Sequence, residues 1–284
     1  MFRLTDPRSI IAGAVTTAFA VSSLILPAGA TPTPSLSPYD QAVLADGPSA
    51  YWTLGNPASG VETDLSGSGL EGSYGGVPAT AVLPNGDTAA DFDGATQYFE
   101  VADADELSPA TTGVLTIEAW MRPDTLDFAN DEGAGYVHWM GKGTAGAHEY
   151  VSRMYSDPNT ANRGNRISGY LFNASGGLGA GSYFQDEVVA GQWIHYVLVI
   201  NYSAQDATYP HGYTKIYRDG VLRDQDDLSI SGTVIVPERG NAPFRVATRD
   251  FGSYFEGAVG KVAFFDSELS ATDIGEHYAA MTDL

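Results

Sequence analysis

Short runs in which apolar residues alternate with polar ones fill most of the chain and predict strands rather than long helices. In the run VLTIEAWMR at 114–122, Leu115, Ile117 and Met121 lie on one side, as in a strand with one face buried. The run QWIHYVLVIN at 192–201 is apolar on both sides, which predicts a strand covered on both faces. The predicted strands are 50–54, 88–92, 97–101, 114–122, 136–142, 148–155, 166–172, 181–185, 192–201, 213–219, 243–249 and 257–265. Their separation by clusters of Gly, Asn, Asp and Pro is typical of a sandwich or barrel.

Two helices are predicted to flank the strands. Ser37 is suited to an N-cap and Pro38 to the first helical position, while Gly47 ends this helix after about two turns. Near the other end of the chain, Ser270 begins a capping-box-like sequence that leads into a helix through Met281. Both helices are short compared with the strand-rich segment between them.

The turn signals and the uniform composition indicate one domain. Asp219-Gly220 lies between two apolar runs and predicts a two-residue hairpin turn. The segment 38–284 has no internal repeat, and its composition does not change along its length. We therefore expect it to form a single domain.

The first thirty residues have the pattern of an export signal. A basic head with Arg3 and Arg8 precedes an apolar stretch over 10–26, and Ala28-Gly29-Ala30 fits a cleavage site. An uncleaved membrane anchor is the alternative, but Thr and Ser residues interrupt the stretch and a proline ends it. We therefore expect a signal peptide over 1–30, a Pro/Thr/Ser spacer over 31–37, and a secreted chain with no membrane span after cleavage.

Composition and charge narrow the range of partners. The chain has 35 acidic residues against 14 Lys and Arg, a formal charge of -21, so nucleic acid is not expected to bind. It has no cysteine, and 43% of its residues are hydrophobic, which is enough for a core without disulfide bonds.

Several motifs then identify a family resemblance that extends from about Tyr39 to Met281. In order, they read AYWTLG, TAADFDGATQYFEV, LTIEAWMRP, GQWIHYVLVI, KIYRDGVL and GAVGKVAFFDSELSATDIGEHYAAM. This series resembles the laminin-G-like, concanavalin A-like jelly-roll domains of secreted bacterial proteins, and the segment 138–186 resembles an actinobacterial subgroup of them. The resemblance implies an all-β fold, a two-sheet antiparallel β-sandwich with a short N-terminal and a C-terminal helix. It leaves function open, because lectins, hydrolases, lyases and adhesion domains share this fold.

Enzymes of this fold carry their catalytic residues in recognisable patterns on the strands. Glucan and galactan hydrolases of this fold place Glu-x-Asp-x-x-Glu on one strand, and this sequence has no such motif. A polysaccharide lyase needs a Tyr or His base and an Arg, Gln or Asn beside the uronate carboxylate. Residues of these types are present at His138, Arg153, Arg166, Tyr170, Tyr183 and Gln185, so a lyase is retained as an alternative.

Calcium is the cofactor considered, because acidic loops on a secreted sandwich offer oxygen ligands. Solvated loops without an ion are the alternative, and no metal-binding residue is assigned. In this superfamily a ligating aspartate often lies in the final long strand, where this chain has Val259-Gly260-Lys261. The acidic clusters are Asp91 with Asp93, Asp103 with Asp105 and Glu106, Asp127 with Asp131, and Asp224 with Asp226 and Asp227.

A binding face is predicted in the segment 138–185. Alternation in HEYVSRMY places Glu149, Arg153 and Tyr155 on one polar face, although Glu149 and Arg153 could instead pair with each other on a solvated sheet. Exposed aromatics stack on sugars, and Arg and Gln form hydrogen bonds with them. The candidate ligand-binding residues are Arg153, Arg166, Tyr170, Tyr183, Gln185, His138 and Glu149. The sequence therefore predicts a secreted, non-catalytic domain that binds a polysaccharide or glycan. The alternatives are a lyase that uses the same groove, or a module that binds an extracellular protein or the envelope through its loops.

Overall fold

The computed structural model describes residues 36–173 and 177–283. The predicted export signal and nearly all of the predicted spacer lie outside the described residues. From Leu36 onward the chain forms one compact unit. No helix among the described residues is both long and apolar enough to cross a membrane.

Strands account for most of the regular structure, at 42% of the described residues against 12% helix. The helices are α1 (Pro38–Ala45), α2 (Pro109–Thr112) and α3 (Ala271–Thr282), with 3-10 turns at Pro57–Ser59 and Asp105–Leu107. The strands are β1 (Ala50–Trp52), β2 (Val61–Glu62), β3 (Gly72–Gly75), β4 (Ala79–Val82), β5 (Thr88–Asp93), β6 (Tyr98–Val101), β7 (Val114–Pro123), β8 (Tyr136–Thr144), β9 (Ala147–Tyr155), β10 (Ile167–Asn173), β11 (Leu178–Phe184), β12 (Ile194–Asn201), β13 (Tyr213–Arg218), β14 (Val221–Asp227), β15 (Ser229–Ile230), β16 (Thr233–Val234), β17 (Phe244–Val246) and β18 (Glu256–Phe265).

Two large antiparallel sheets form a sandwich, which confirms the predicted fold class. The first sheet has the order β14-β13-β12-β7-β18-β5-β4, with β1 also paired to β18. The second sheet has the order β11-β10-β9-β8-β17-β6-β3-β2. Non-consecutive neighbours in both sheets show that the chain crosses repeatedly between them, as in a jelly roll.

The main core lies between the two sheets. Ile117 of β7 and Leu198 of β12 face Trp139 of β8 and Tyr150 of β9 in one continuous apolar cluster. The tyrosine hydroxyls that enter this core are paired, for example Tyr196 with Ser152 at 2.8 Å. Because their hydroxyls have partners, these tyrosines can be buried at little cost.

A second apolar layer covers the outer face of the first sheet. Val43 of α1 and Ile274 of α3 pack over Trp120 and Val197. This explains why the run around β12 is apolar on both sides: one side meets the core and the other meets the helices. Both helices begin with a capping box, Ser37 with Asp40 and Ser270 with Asp273.

The turn prediction is also confirmed, whereas six strands were missed: β14 (Val221–Asp227) and five of the short ones. Asp219 and Gly220 both have positive φ values, 53° and 75°, as a two-residue hairpin turn requires. Strands β2, β3, β4, β15 and β16 have only two to four residues each, so they show too few alternations to form a pattern.

Candidate functional site

The outer face of the second sheet carries most of the predicted site residues. Strand pairing aligns His138 of β8 with Arg153 of β9, Arg153 with Ser168 of β10, and Ser168 with Tyr183 of β11. These residues therefore form one row across four strands.

A second row lies beside the first. Tyr136 pairs with Tyr155, and the Tyr155 backbone N–H donates to the Arg166 carbonyl at 2.9 Å. Arg166 in turn reaches Gln185. Tyr170 lies on the same face, two residues beyond Ser168. We call this surface of β8–β11, with Tyr136, Arg153, Arg166, Tyr170 and Tyr183, the arginine face.

Arg153 lies at the centre of this face between aromatic rings. Its guanidinium carbon is 3.9 Å from the centre of the Tyr136 ring and 5.2 Å from that of Tyr170. Its nitrogens lie 3.3 and 3.4 Å from Nε2 of His138. Cation–π contacts of this kind hold the guanidinium plane in a defined orientation.

His138 supports Arg153 from below rather than facing solvent, since only 1% of it is exposed. Its Nδ1 contacts the Glu132 carboxylate, and its Nε2 also faces Arg249 at 3.3 Å. Burial, aided by Arg249 and Arg153 and opposed by Glu132, lowers the pKa of His138 to about 4. The neutral ring can then accept N–H groups of both arginines at Nε2. With both nitrogens engaged and no access to solvent, His138 is not placed to take a proton from a substrate.

Arg166, Tyr183 and Gln185 form a second cluster at the β11 edge. The Arg166 guanidinium lies 3.9 Å from the centre of the Tyr183 ring and donates to Gln185 Oε1 at 3.1 and 2.9 Å. Gln185 donates from Nε2 to the carbonyl of Asn162 at 2.9 Å. Tyr183 is 39% exposed, so its ring is open to a ligand.

Glu149 departs from the predicted alternation. Lys142 pairs with Tyr150 and Gly143 pairs with His148, so Glu149 is an extra residue at a bulge between β8 and β9. Its carboxylate contacts Lys142 and accepts from Ser108 at 2.7 Å, and it is 1% exposed. Glu149 therefore belongs to an internal ion pair, apart from Arg153. It does not lie on the binding face, contrary to the prediction.

Three further residues complete the arginine face or support it. None of them was among the predicted site residues. Tyr136 lies two residues before His138, so strand alternation alone could have indicated it. Arg163 comes from the loop before β10 and donates to the Tyr155 hydroxyl at 3.1 Å, a contact that no periodic pattern reveals. Arg249 reaches His138 from the segment after β17, which is distant in sequence.

A shallow pocket of about 460 Å³ adjoins this face where the edge strands β11 and β14 approach each other. Tyr183 and Gln185 line it, so they contribute to both the pocket and the arginine face. The rest of its wall includes Asp186, Arg223, Asp224 and Asp226. Three of its seven lining residues are aspartates, in contrast to the arginines of the face beside it.

The acidic clusters considered for calcium are largely engaged with protein donors. Backbone N–H groups of residues 95–97 overcome the effect of partial burial and lower the pKa of Asp93 to about 2. Lys261, at the position considered for a ligating aspartate, places its ammonium 2.5 Å from Asp40 and 2.8 Å from Asp87. Other pairs are Asp91 with Arg122 at 3.2 Å, Asp103 with Lys142 at 2.6 Å, Asp131 with Ser156 at 3.2 Å and Asp227 with His211 at 2.8 Å.

One further group has the donor atoms of a metal site. Single ligand atoms of Glu132, His138 and Asp250 all lie within 4.8 Å of one another. Arg249 pairs with Asp250 at 2.5 Å, and both Arg249 and Arg153 contact His138. These guanidinium groups would repel a divalent cation, and three ligands fall short of the six to eight oxygens that calcium takes. The group therefore does not fit calcium.

Comparisons with known proteins agree with this architecture. A profile of the concanavalin A-like lectin/glucanases superfamily matches residues 93–275, well over half of the chain. The chain belongs to this superfamily. Its members share the two-sheet sandwich described above, so the match accounts for the fold and not for a particular ligand. A search of curated proteins finds no match.

Solved structures with this superfamily's fold resemble the chain at low sequence identity. The receptor-binding domain of botulinum neurotoxin C/D mosaic serotype has a TM-score of 0.60 and 13% identity, covering 82% of this chain and 51% of the toxin domain. A botulinum neurotoxin DC binding domain, solved with SialylT, has a TM-score of 0.60 and 13% identity, covering 84% and 52%. Domain 4 of AbnA, a GH43 extracellular arabinanase from Geobacillus stearothermophilus solved with arabinotriose, has a TM-score of 0.54 and 15% identity, covering 81% and 98%. The chain thus spans about half the length of the toxin domains and shares the fold of that part.

Proposed function

We propose that this protein is a secreted, non-catalytic domain that binds a polysaccharide or glycan on the arginine face. The observation that carries the proposal is the contrast between the outer faces of the two sheets. Helices α1 and α3 cover the first, whereas the second presents partly exposed tyrosines and arginines whose planes are fixed by stacking. Flat aromatic surfaces beside planar hydrogen-bond donors are what sugar rings and hydroxyls require.

The comparison structures support this choice without identifying the ligand. The arabinanase domain was solved with arabinotriose and the neurotoxin domain with SialylT, so the same fold holds sugars in other proteins. The residues of the arginine face belong to this chain, and we base the proposal on them. Secretion is part of the proposal and rests on the predicted export signal.

Native gel electrophoresis of the protein through gels containing neutral or uronate polysaccharides tests the proposal. At least one polymer is expected to retard the protein while the gel matrix stays intact. Each gel is run with and without calcium. Because protein donors engage at least one aspartate of each acidic cluster, we expect retardation not to depend on the ion.

Tyr183→Ala removes the exposed ring of the arginine face and is expected to weaken retardation about 5- to 10-fold. Tyr209→Ala is the matched control, because Tyr209 is partly exposed in the loop between β12 and β13, where it contacts Tyr213. Equal loss in both variants would contradict the assignment of the face. A cleared zone behind the band would mean that the protein is a lyase, and unaltered mobility in every gel would favour a module that binds proteins.

A further inference from the structure

Arg153 and Arg166 of the arginine face, and Arg163 beside them, differ from the other described arginines and lysines of this chain. Among the described residues, Arg153, Arg163 and Arg166 have no carboxylate within the 4.0 Å that defines a salt bridge. Every other described cation has such a partner: Arg122, Arg218, Arg223, Arg239, Arg245, Arg249, Lys142, Lys215 and Lys261.

This distribution is unexpected for a chain with 35 acidic residues against 14 Lys and Arg. Acidic side chains are abundant enough to pair with each cation, and they do so elsewhere on the molecule. The first of the three, Arg153, lies on β9, and the other two lie in the segment that leads into β10. Their positive charges therefore lack neutralising partners on the surface that we propose as the binding site.

The groups that contact these arginines are neutral. Arg153 contacts the His138 ring, the Tyr136 ring and the Tyr155 hydroxyl, the last at 3.5 Å. Arg163 donates to the same hydroxyl at 3.1 Å.

Arg166 follows the same pattern, since it donates to the Gln185 amide oxygen and stacks on Tyr183. Rings and amides orient a guanidinium without cancelling its charge, so the three groups stay available to an anion.

From this arrangement we infer that the ligand is an acidic polysaccharide, whose negatively charged groups pair with Arg153 and Arg166. The inference rests on the proposed function and specifies its ligand class. Uronate carboxylates and sulfate esters both supply the required oxygen atoms. The planar fork of arginine matches a carboxylate or sulfate through two parallel N–H···O bonds, and Tyr170 and Tyr183 are placed to contact the sugar rings.

The negative net charge of the chain opposes non-specific binding of acidic polymers. A protein with a formal charge of -21 repels polyanions at long range, so a general attraction to acidic polymers is not expected. Binding of an acidic polymer would therefore have to come from a local, oriented site. This gives the experiment a low background.

The experiment compares polymers that differ in charge but share a backbone. Polygalacturonate and alginate are tested beside their esterified forms, which lack the carboxylate charge, and dextran sulfate is tested beside dextran. Affinity electrophoresis of the full chain gives a dissociation constant for each polymer. One acidic polymer is expected to bind at least about 10-fold more tightly than its neutral counterpart. Preference for the carboxylate or for the sulfate identifies the source of the charge.

Arg153→Gln and Arg166→Gln are each expected to weaken binding of the acidic polymer about 10-fold and to change binding of its neutral form less than about 2-fold. Arg239→Gln is the matched control: it removes the same charge from an exposed arginine that pairs with Asp103 and Asp105. Tight binding of neutral polymers that both face variants retain would overturn the acidic ligand and leave the proposed function standing. Absence of binding to any polymer would overturn both.

Discussion

At the scale of single residues, Glu118 shows how a cluster that looks catalytic serves the fold. Its carboxylate accepts from Tyr39 at 2.7 Å, from His195 at 2.7 Å and from His277 at 2.8 Å, and it is fully buried. Burial opposes its ionisation, but the two histidines outweigh this effect and hold the pKa of Glu118 well below its usual range. Because α1 and α3 cover the cluster, it fastens both helices to the first sheet and has no access to a substrate.

Glu118→Gln is expected to lower the free energy of unfolding by about 3 kcal/mol, since it removes a charge on which three buried donors depend. Urea unfolding at pH 7 measures the change. Glu276→Gln, an exposed position on α3, is the control and should change stability by less than about 0.5 kcal/mol. Comparable losses in the two variants would show that the buried network contributes little.

At the scale of elements, strand alternation predicted part of the arginine face and failed where pairing is irregular. Arg153 and Tyr155 share the expected side of β9. Glu149 does not, because two residues of β9 oppose one of β8 at the bulge. Nothing in the sequence of a single strand records this, since a bulge depends on both partners. Strand alternation could not predict the position of Arg163 either, because this residue lies in a loop and its position depends on tertiary contacts.

The close pairing of β10 and β11 permits only glycine at position 181. A Cβ there would lie 1.9 Å from the carbonyl oxygen of Gly169, which is backbone and cannot rotate away. Gly181→Ala is therefore expected to lower the free energy of unfolding by about 1–3 kcal/mol and to weaken polysaccharide binding by displacing Tyr183.

Gly275→Ala is the matched control, because it has open space around its Cβ within α3. It should raise stability by about 0.5–1 kcal/mol. Thermal unfolding of both variants measures the difference, and a neutral Gly181→Ala would contradict the described register.

At the scale of the whole molecule, the sequence predicted the sandwich well and the site less completely. Alternation, turn residues and caps are local signals, and they recovered most strands, both main helices and the hairpin at Asp219-Gly220. The family resemblance added the two-sheet arrangement. Charge counts alone could not reveal which arginines lack a carboxylate partner. That depends on contacts between strands and loops that are far apart in sequence.

The buried His138 makes stability depend on pH in a defined window. Its folded pKa of about 4 lies below the ordinary value of 6.5, so between these values the unfolded chain binds a proton that the folded chain does not. Stability should therefore fall on the order of 2 kcal/mol as the pH drops from 6.5 to 4.5. The raised pKa of His277, where Glu118 outweighs burial, adds stability that is fully present below 6.5 and constant in this window.

Urea unfolding of the wild-type chain and of His138→Gln at several pH values between 4.5 and 6.5 tests this assignment. The variant should lose most of the slope, leaving a smaller part for His148, whose pKa burial also lowers. An unchanged slope in the variant would place the titrating group elsewhere.

If the arginine face binds an acidic polysaccharide, the arginine side chains report the binding directly. In protein labelled with ¹⁵N-arginine, the Nε–H signals are assigned by Arg→Gln variants and followed while a uronic or a sulfated oligosaccharide is added, whichever matches the polymer that binds in electrophoresis. The signals of Arg153 and Arg166 are predicted to shift and saturate while that of Arg239 stays in place. Shifts confined to other arginines, or no shift at saturating oligosaccharide, would contradict binding at the arginine face.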